Sequence, residues 1–198
     1  MLAFLQTISA LKKLPRSGWL SHGVDVRDAE SVADHSFSVS AISLLLADLE
    51  LRRGIQVDVE KVLQMAIIHD LAESLTFDIS KAYLQYLGRR GEEIKHELED
   101  SAWSTLVERL DDSELARKYT QVKSEYNVNK TVESKIVHAA DALDLLLQII
   151  SYRKRGYSKS LLADLWEGTE ANLNHSQIRS ARKLLKLLVQ ANRHLTIR

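Results

Sequence analysis

Residues 131–156 read TVESKIVHAADALDLLLQIISYRKRG, and this stretch decides the predicted fold class. Thr131-Val-Glu-Ser134 is typical of a helix start, because Ser and Thr side chains accept hydrogen bonds from the first backbone N–H groups. Gly156 is typical of a helix end, because glycine readily takes the backbone conformation that terminates a helix. We therefore predict one long helix across these residues.

Similar signals on either side of this stretch predict seven more helices. Leucine and isoleucine recur every three residues from Leu2 to Leu14, and Pro15 ends that pattern because proline cannot donate to the helical ladder. Ser31-Val-Ala-Asp34 resembles a capping box and starts a second helix that runs to about Arg53. The others are predicted from Asp58, after Gly91, from Ser113 to about Tyr126, from Ser158 to Trp166 and from Ser176 to His194.

Composition supports an all-α fold. The 198 residues include seven glycines and one proline, a shortage of turn-forming residues that long helices tolerate best. Most β-sandwiches and barrels need many tight turns and are therefore disfavoured. We predict a single all-α domain of about eight helices over residues 1–198.

Charge and cysteine content exclude several classes of function. Lys plus Arg and Asp plus Glu both number 27, which argues against a nucleic-acid polymer or an anionic membrane as partner. The absence of cysteine excludes disulfides, thiolate metal sites and cysteine nucleophiles. The first residues do not follow the order of a secretory signal, and no apolar run reaches the length of a membrane span. We expect a soluble cytoplasmic protein.

Four residues that carry metal chemistry lie among apolar neighbours on three predicted helices. His35 lies in ESVADHS, His69 and Asp70 lie in IIHDLAES, and Asp141 lies in VHAADALD. A buried carboxylate needs a cation, an arginine or a metal beside it. Two imidazoles and two carboxylates form a mixed N/O set suited to Mn, Fe, Co, Ni or Zn. Glu73 follows His69 by four residues, so we expect it on the same helical face, placed to orient a water.

Each of these signals has a structural alternative. A single buried histidine is more often a satisfied core residue than a metal ligand. A His-Asp pair near a helix end also suits capping or surface roles. The ordered set of His35, His69-Asp70 and Asp141 favours the metal interpretation.

That ordered set, together with the motifs LPRSGWL, ESVADHS, IIHDLAES and FDIS, resembles the HD-domain metal-dependent phosphohydrolases. The motifs are most similar to those of the 5′-deoxynucleotidase group, and the resemblance covers about residues 5–155. It implies an HD-domain helical bundle with a metal-site core at about 16–155 and C-terminal helices at 158–198 packing on it. It also implies that the four residues bind one divalent transition metal ion, and that deoxyribonucleoside 5′-monophosphates are the substrates.

The resemblance implies roles for four more residues. Glu73 matches the acidic residue that positions the attacking water, and Asp78 matches a second acidic residue near the water or the leaving oxygen. Arg16 matches a phosphate-binding arginine, and Trp19 matches an aromatic residue that crowds the sugar 2′ position. The bacterial pattern has this arginine and tryptophan adjacent, whereas here Ser17 and Gly18 separate them. Outside the resemblance, Arg16 suits a surface position, Trp19 a core position and Asp78 a helix cap.

The predicted function is therefore a metal-dependent phosphomonoesterase that hydrolyses nucleoside 5′-monophosphates and prefers deoxy sugars. One alternative is another HD phosphohydrolase, acting on nucleoside triphosphates or on another small phosphate ester. A different alternative is a helical interaction module with a structural metal. Its subunit interface would use the apolar run from Leu145 to Ile150 and the amphipathic set Leu184, Leu185, Leu187 and Leu188. The enzyme is also expected to form a homodimer.

Overall fold

The computed structural model describes residues 1–88 and 90–195, and every regular element in those residues is helical. One isolated antiparallel bridge joins Pro15 to Ser31. The predicted all-α fold class is confirmed. The α-helices are α1 Leu2–Ser9, α2 Ser17–Ser21, α3 Val32–Leu51, α4 Val59–Ile68, α5 Glu73–Thr76, α6 Lys81–Leu84, α7 Arg90–Glu108, α8 Ser113–Val128, α9 Val132–Lys154, α10 Ala163–Asn174 and α11 Arg179–His194. Short 3-10 turns cover Ala10–Lys12, Gln85–Leu87 and Ser160–Leu162.

The longer helices match the predicted number. Among the described residues, eight α-helices have eight or more residues, and α2, α5 and α6 are single-turn helices that the sequence did not predict. A single turn is too short to show a repeating apolar pattern. The predicted start of α9 is confirmed, because the Ser134 N–H donates to the Thr131 hydroxyl at 3.3 Å.

Two predicted helices differ from those observed. The helix predicted from Ser158 to Trp166 is a 3-10 turn followed by α10, which continues through Gly168 to Asn174. The first helix ends at Ser9 and continues only as a 3-10 turn, and Leu2 and Leu5 are exposed. Apolar spacing of three matches the three residues per turn of a 3-10 helix better than an α-helix.

The chain divides into two compact units. The first unit comprises Met1–Phe37 and Ile67–Ser124. Its helices α1, α5 and α7 pack against one another, and α2 packs against α6. Trp19, Trp103 and Leu106 are buried in this unit, and the Trp103 indole N–H donates to the Thr120 hydroxyl at 3.1 Å.

The second unit comprises Ser38–Ala66 and Glu125–Arg198, of which the last three residues lie outside the described chain. Helices α10 and α11 pack against α9 and against each other. Tyr152 is fully buried, and the buried carboxylate of Glu50 accepts the Ser180 N–H at 2.9 Å and pairs with Arg53. The assignment of residues 1–198 to one domain stays a prediction.

Helix α3 has a composition that the sequence prediction did not single out. The helix has 20 residues, and an 18-residue window of it has a mean hydropathy of 1.3, so it is long and apolar enough to cross a membrane. Core helices of soluble proteins have the same properties. The expected lack of a membrane partner therefore stays a prediction.

Candidate metal centre

His35 is positioned by the capping box at the start of α3. The Asp34 N–H donates to the Ser31 hydroxyl at 3.1 Å, and the Ser31 N–H donates to the Asp34 carboxylate at 3.1 Å. These reciprocal bonds satisfy backbone donors that a helix start leaves free, and they fix its first turn. The His35 side chain follows in that turn and is buried.

His69 and Asp70 lie where α4 ends, at Ile68. Beyond that point the backbone is held by hydrogen bonds that span three residues rather than four. The Leu71 N–H donates to the Ile68 carbonyl at 3.2 Å, and the Glu73 N–H donates to the Asp70 carbonyl at 3.1 Å. The expectation that His69 and Glu73 share one α-helical face is therefore wrong, since Glu73 begins the separate helix α5.

Three potential ligand atoms from these segments converge in the first unit. His35 Nε2 lies 3.4 Å from His69 Nε2, and Asp70 Oδ2 lies 3.6 Å from the first and 3.2 Å from the second. Both imidazoles are buried, and the Asp70 side chain is 19% exposed. Two imidazole nitrogens and one carboxylate oxygen directed at one point suit a divalent transition metal ion. The residues present therefore fit such an ion.

Electrostatics keep Asp70 ionised. Burial alone would raise the pKa of Asp70, but His69, Arg16 and His35 together hold that pKa well below its usual range. The guanidinium of Arg16 lies 3.7 Å from the Asp70 carboxylate. A carboxylate must be deprotonated to bind a metal, so this environment favours the ligating form.

Glu73 has the opposite environment. Burial raises its pKa to about 9, and the negative charges of Asp70 and Asp78 act in the same direction. Within the described part of the chain, no group hydrogen-bonds to the buried Oε2 atom of Glu73. Such a carboxyl group binds a proton tightly and has an oxygen available for a ligand.

Asp78 forms a hydrogen bond with the residue that follows Arg16. The carboxylate of Asp78 accepts the N–H of Ser17, the first residue of α2, at 2.7 Å. The bond is formed to α2, whereas the sequence alternative placed Asp78 as a cap of the helix that follows it. Phe77 follows the last residue of α5 and has a φ of 63°, which is uncommon for a bulky residue. This residue forms the turn between α5 and Asp78.

Trp19 lies in the first unit and Asp141 in the second. The Trp19 ring is 3% exposed and its indole N–H donates to Glu30 at 2.8 Å, so the ring belongs to the core of the first unit. Asp141 lies half-buried in the interior of α9, as predicted. The sugar contact of Trp19 and the metal ligation by Asp141 stay predictions.

Sequence reasoning missed Lys123. This residue of α8 is buried, and its ammonium group donates to the backbone carbonyl of His69. The surrounding sequence, KYTQVKSEYN, is polar, and lysines in such a context are usually solvated. The available signal was the pair of apolar residues Val122 and Tyr126, which place this side of α8 toward the interior.

An all-α chain with buried histidines and an aspartate converging at a helix break belongs to a class of helical proteins that can bind a metal ion. The family model described as HD domain matches residues 8–179. The chain is a member of the HD domain family.

Known relatives agree with this assignment. The human 5′-deoxynucleotidase HDDC2 is 26% identical over 178 residues, which cover 90% of this chain and 80% of the relative. The 5′-deoxynucleotidase hdd1 of Schizosaccharomyces pombe is 31% identical over 169 residues, covering 83% of this chain and 79% of the relative.

Solved structures have the same fold. A crystal structure from Pyrococcus horikoshii OT3 has a TM-score of 0.78 and 31% identity, covering 96% of this chain and 99% of that one. An HD-domain phosphohydrolase from Listeria innocua also has a TM-score of 0.78, at 20% identity, covering 98% of this chain and 97% of that one. The second likeness concerns the fold alone.

Proposed function

We propose that this protein is a metal-dependent phosphomonoesterase that hydrolyses nucleoside 5′-monophosphates, preferring deoxy sugars, to nucleoside and phosphate. The observation that carries the proposal is the convergence of His35, His69 and Asp70 beside Arg16 and Glu73. The relatives named 5′-deoxynucleotidase support the choice of substrate class.

The proposed ligands of the ion are His35, His69, Asp70 and Asp141. The first three are supported by their convergence, and Asp141 by the resemblance of its helix to the family pattern. When bound, a divalent ion would supply Lewis acidity toward the phosphoryl group and a water. Co, Mn, Ni, Fe and Zn all suit a mixed N/O set, so elemental analysis of the purified protein identifies the native metal.

The side chains around the ligands have the chemistry that hydrolysis needs. Arg16 is proposed to bind the phosphate, because its planar guanidinium can contact two oxygens at once. Glu73 is proposed to orient the attacking water and take its proton as the new P–O bond forms and the P–O5′ bond breaks. Burial and the nearby carboxylates raise the pKa of Glu73, and a bound cation would favour the ionised form that takes the proton. Asp78 is proposed to assist transfer of a proton to the leaving O5′, and Trp19 to limit access of a 2′-hydroxyl.

The test is a nucleotide panel on metal-stripped enzyme to which single metals are returned. We expect phosphate release from dAMP, weaker release from AMP, and loss of both after chelation. Diphosphate or triphosphate release from dATP, or hydrolysis of cyclic nucleotides alone, would identify another phosphohydrolase activity. Metal binding with no hydrolysis of any ester would support the helical interaction module and contradict the proposed function.

We also propose that the enzyme is a cytoplasmic homodimer without a nucleic-acid polymer or a membrane as partner. Within the run from Leu145 to Ile150, the residues Leu146, Ile149 and Ile150 are buried. The exposed residues Leu147 and Leu187 are therefore the proposed centre of the interface. Sedimentation equilibrium of wild type and Leu187→Asp tests this proposal. A wild-type monomer at micromolar concentration would contradict it.

A further inference from the structure

Lys123 is a buried lysine that contacts the backbone of the candidate metal centre. Its residue surface is 8% exposed, and its ammonium group donates to the His69 carbonyl oxygen. Removing an ammonium group from water is costly unless it is paired, so the contact must compensate for that burial. The hydrogen bond joins α8 to the turn that carries His69 and Asp70.

The break in helical hydrogen bonding leaves the His69 carbonyl available to Lys123. In a continuous α-helix this carbonyl would accept the N–H of residue 73, four positions later. Here the Glu73 N–H donates to the Asp70 carbonyl at 3.1 Å instead. The ammonium group of Lys123 takes the position that a backbone donor would have had.

The same break brings two adjacent side chains to one point. Consecutive residues of an α-helix point about 100° apart around its axis, which separates their side chains. At the turn, however, His69 Nε2 and Asp70 Oδ2 lie 3.2 Å apart and both face His35. The ligand geometry therefore depends on the turn rather than on helix α4 itself.

The surroundings of Lys123 are acidic on both sides. Asp70 and Glu73 face it from the turn region, and Glu99 and Asp100 face it from α7. Burial lowers the pKa of Lys123, and these four carboxylates oppose that effect. The carboxylates favour a positive charge at this position. A neutral side chain would remove the positive charge that offsets their mutual repulsion.

We propose that Lys123 is a positioning residue of the metal centre, holding the His69 carbonyl so that the turn directs His69 and Asp70 at one ion. The proposal rests on the proposed function only in taking these two residues as metal ligands. Lys123 contacts the backbone of a ligand, so it acts through His69 and Asp70 and does not contact the substrate.

The experiment measures metal affinity without nucleotide. Wild type, Lys123→Met, Lys123→Arg and Lys118→Met are stripped of metal and titrated with Mn or Co, while circular dichroism and thermal unfolding report folding. Lys118 is the matched control because it lies on α8 but is exposed. We expect Lys123→Met to bind metal about tenfold more weakly or worse, in the range typical of lost partners of ligands. Lys123→Arg should recover most of the affinity, and Lys118→Met should match wild type.

Hydrogen exchange of the metal-free proteins supplies an independent readout. Exchange in Lys123→Met should be faster in the segment from His69 to Thr76, with α9 and α11 unchanged, which a general loss of packing would not produce. Equal affinity and equal exchange in folded Lys123→Met and wild type would overturn the proposal. If Lys123→Met does not fold, metal affinity and hydrogen exchange are measured on the smaller polar variant Lys123→Gln, and the same results support or overturn the proposal.

These readouts separate this proposal from the proposed function. A wild-type protein that binds metal but hydrolyses none of the nucleotides refutes the phosphatase and leaves the Lys123 comparison intact. A phosphatase whose Lys123→Met variant keeps wild-type metal affinity and exchange refutes only the role of Lys123.

Discussion

The two compact units use helices differently. In the first unit, single-turn helices and three-residue hydrogen bonds surround His69, Asp70 and Glu73, and the charged groups there have strongly shifted pKa values. In the second unit, the uninterrupted helices α9 to α11 pack around an apolar core that includes Tyr152. The contrast is that the candidate ligands lie where helical hydrogen bonding is broken, whereas α9 to α11 of the second unit pack as continuous helices.

The largest expected effect comes from Asp70→Ala. Removing the carboxylate eliminates the oxygen that lies within 3.6 Å of both imidazoles, so bound metal and hydrolysis should both fall to background. Helical content by circular dichroism should be retained, because the change removes a functional group rather than core packing. The control is Asp48→Ala, an exposed aspartate of α3. Full metal content and turnover in Asp70→Ala would refute the assigned centre.

Glu73→Gln should lower kcat while leaving the metal in place. The amide keeps the size of the side chain but cannot take a proton, and general acid–base groups contribute typically about 10²–10⁴-fold. We expect a loss of kcat in that range, with KM and metal content close to wild type. Glu97→Gln on the exposed side of α7 is the control. A loss confined to KM would reassign Glu73 to substrate binding.

The break at His69 marks the limit of what the sequence predicts. Ser31 and Asp34 specify the start of α3, and Thr131 specifies the start of α9, because capping bonds form between residues close in sequence. The turn after Ile68 instead accompanies a hydrogen bond from Lys123, 54 residues away in the chain. Local periodicity contains no information about such a contact, so the sequence predicted the wrong helix for Glu73.

Tertiary contacts also explain two other features, the helical position of Gly168 and the core position of Trp19. A glycine in a helix interior costs only about 1 kcal/mol, which tertiary packing around the buried Trp166 offsets, so α10 continues through Gly168. The sequence left core and sugar-facing positions open for Trp19, because either suits a ring with a polar edge. Its partner, Glu30, lies eleven residues away and became evident only from the fold.

In the second unit, Glu50→Gln should reduce stability without affecting hydrolysis. Burial would raise the pKa of Glu50, but hydrogen bonds from Ser180 and Arg53 lower it below its ordinary value. The variant weakens charge-assisted bonds, and we expect a loss of about 1–3 kcal/mol in the free energy of unfolding.

The sign of the pH dependence follows from that lowered pKa. The ionised carboxylate stabilises the fold above its unfolded pKa, about 4.3, and this contribution is lost as the pH falls through the lower folded pKa. Urea unfolding at neutral pH should therefore separate wild type from Glu50→Gln, and at low pH the difference should shrink. The exposed Glu167→Gln serves as the control. A difference that grows on acidification would contradict this account.

Trp19→Phe has the smallest expected effect and tests whether one residue serves both stability and selectivity. Phe keeps an aromatic ring but loses the N–H that donates to Glu30, so the free energy of unfolding should fall by about 1 kcal/mol. If the ring also crowds the sugar, the smaller side chain should lower the dAMP-to-AMP ratio of kcat/KM by about 10-fold or less, the size of effect typical of small changes in a pocket wall. Trp103→Phe is the matched control, since it removes an equivalent bond, to Thr120, from a buried tryptophan of the same unit. That control should lose stability and leave the ratio unchanged. An unchanged ratio in Trp19→Phe as well would make Trp19 a core residue alone, and selectivity would then have to come from another group around Arg16.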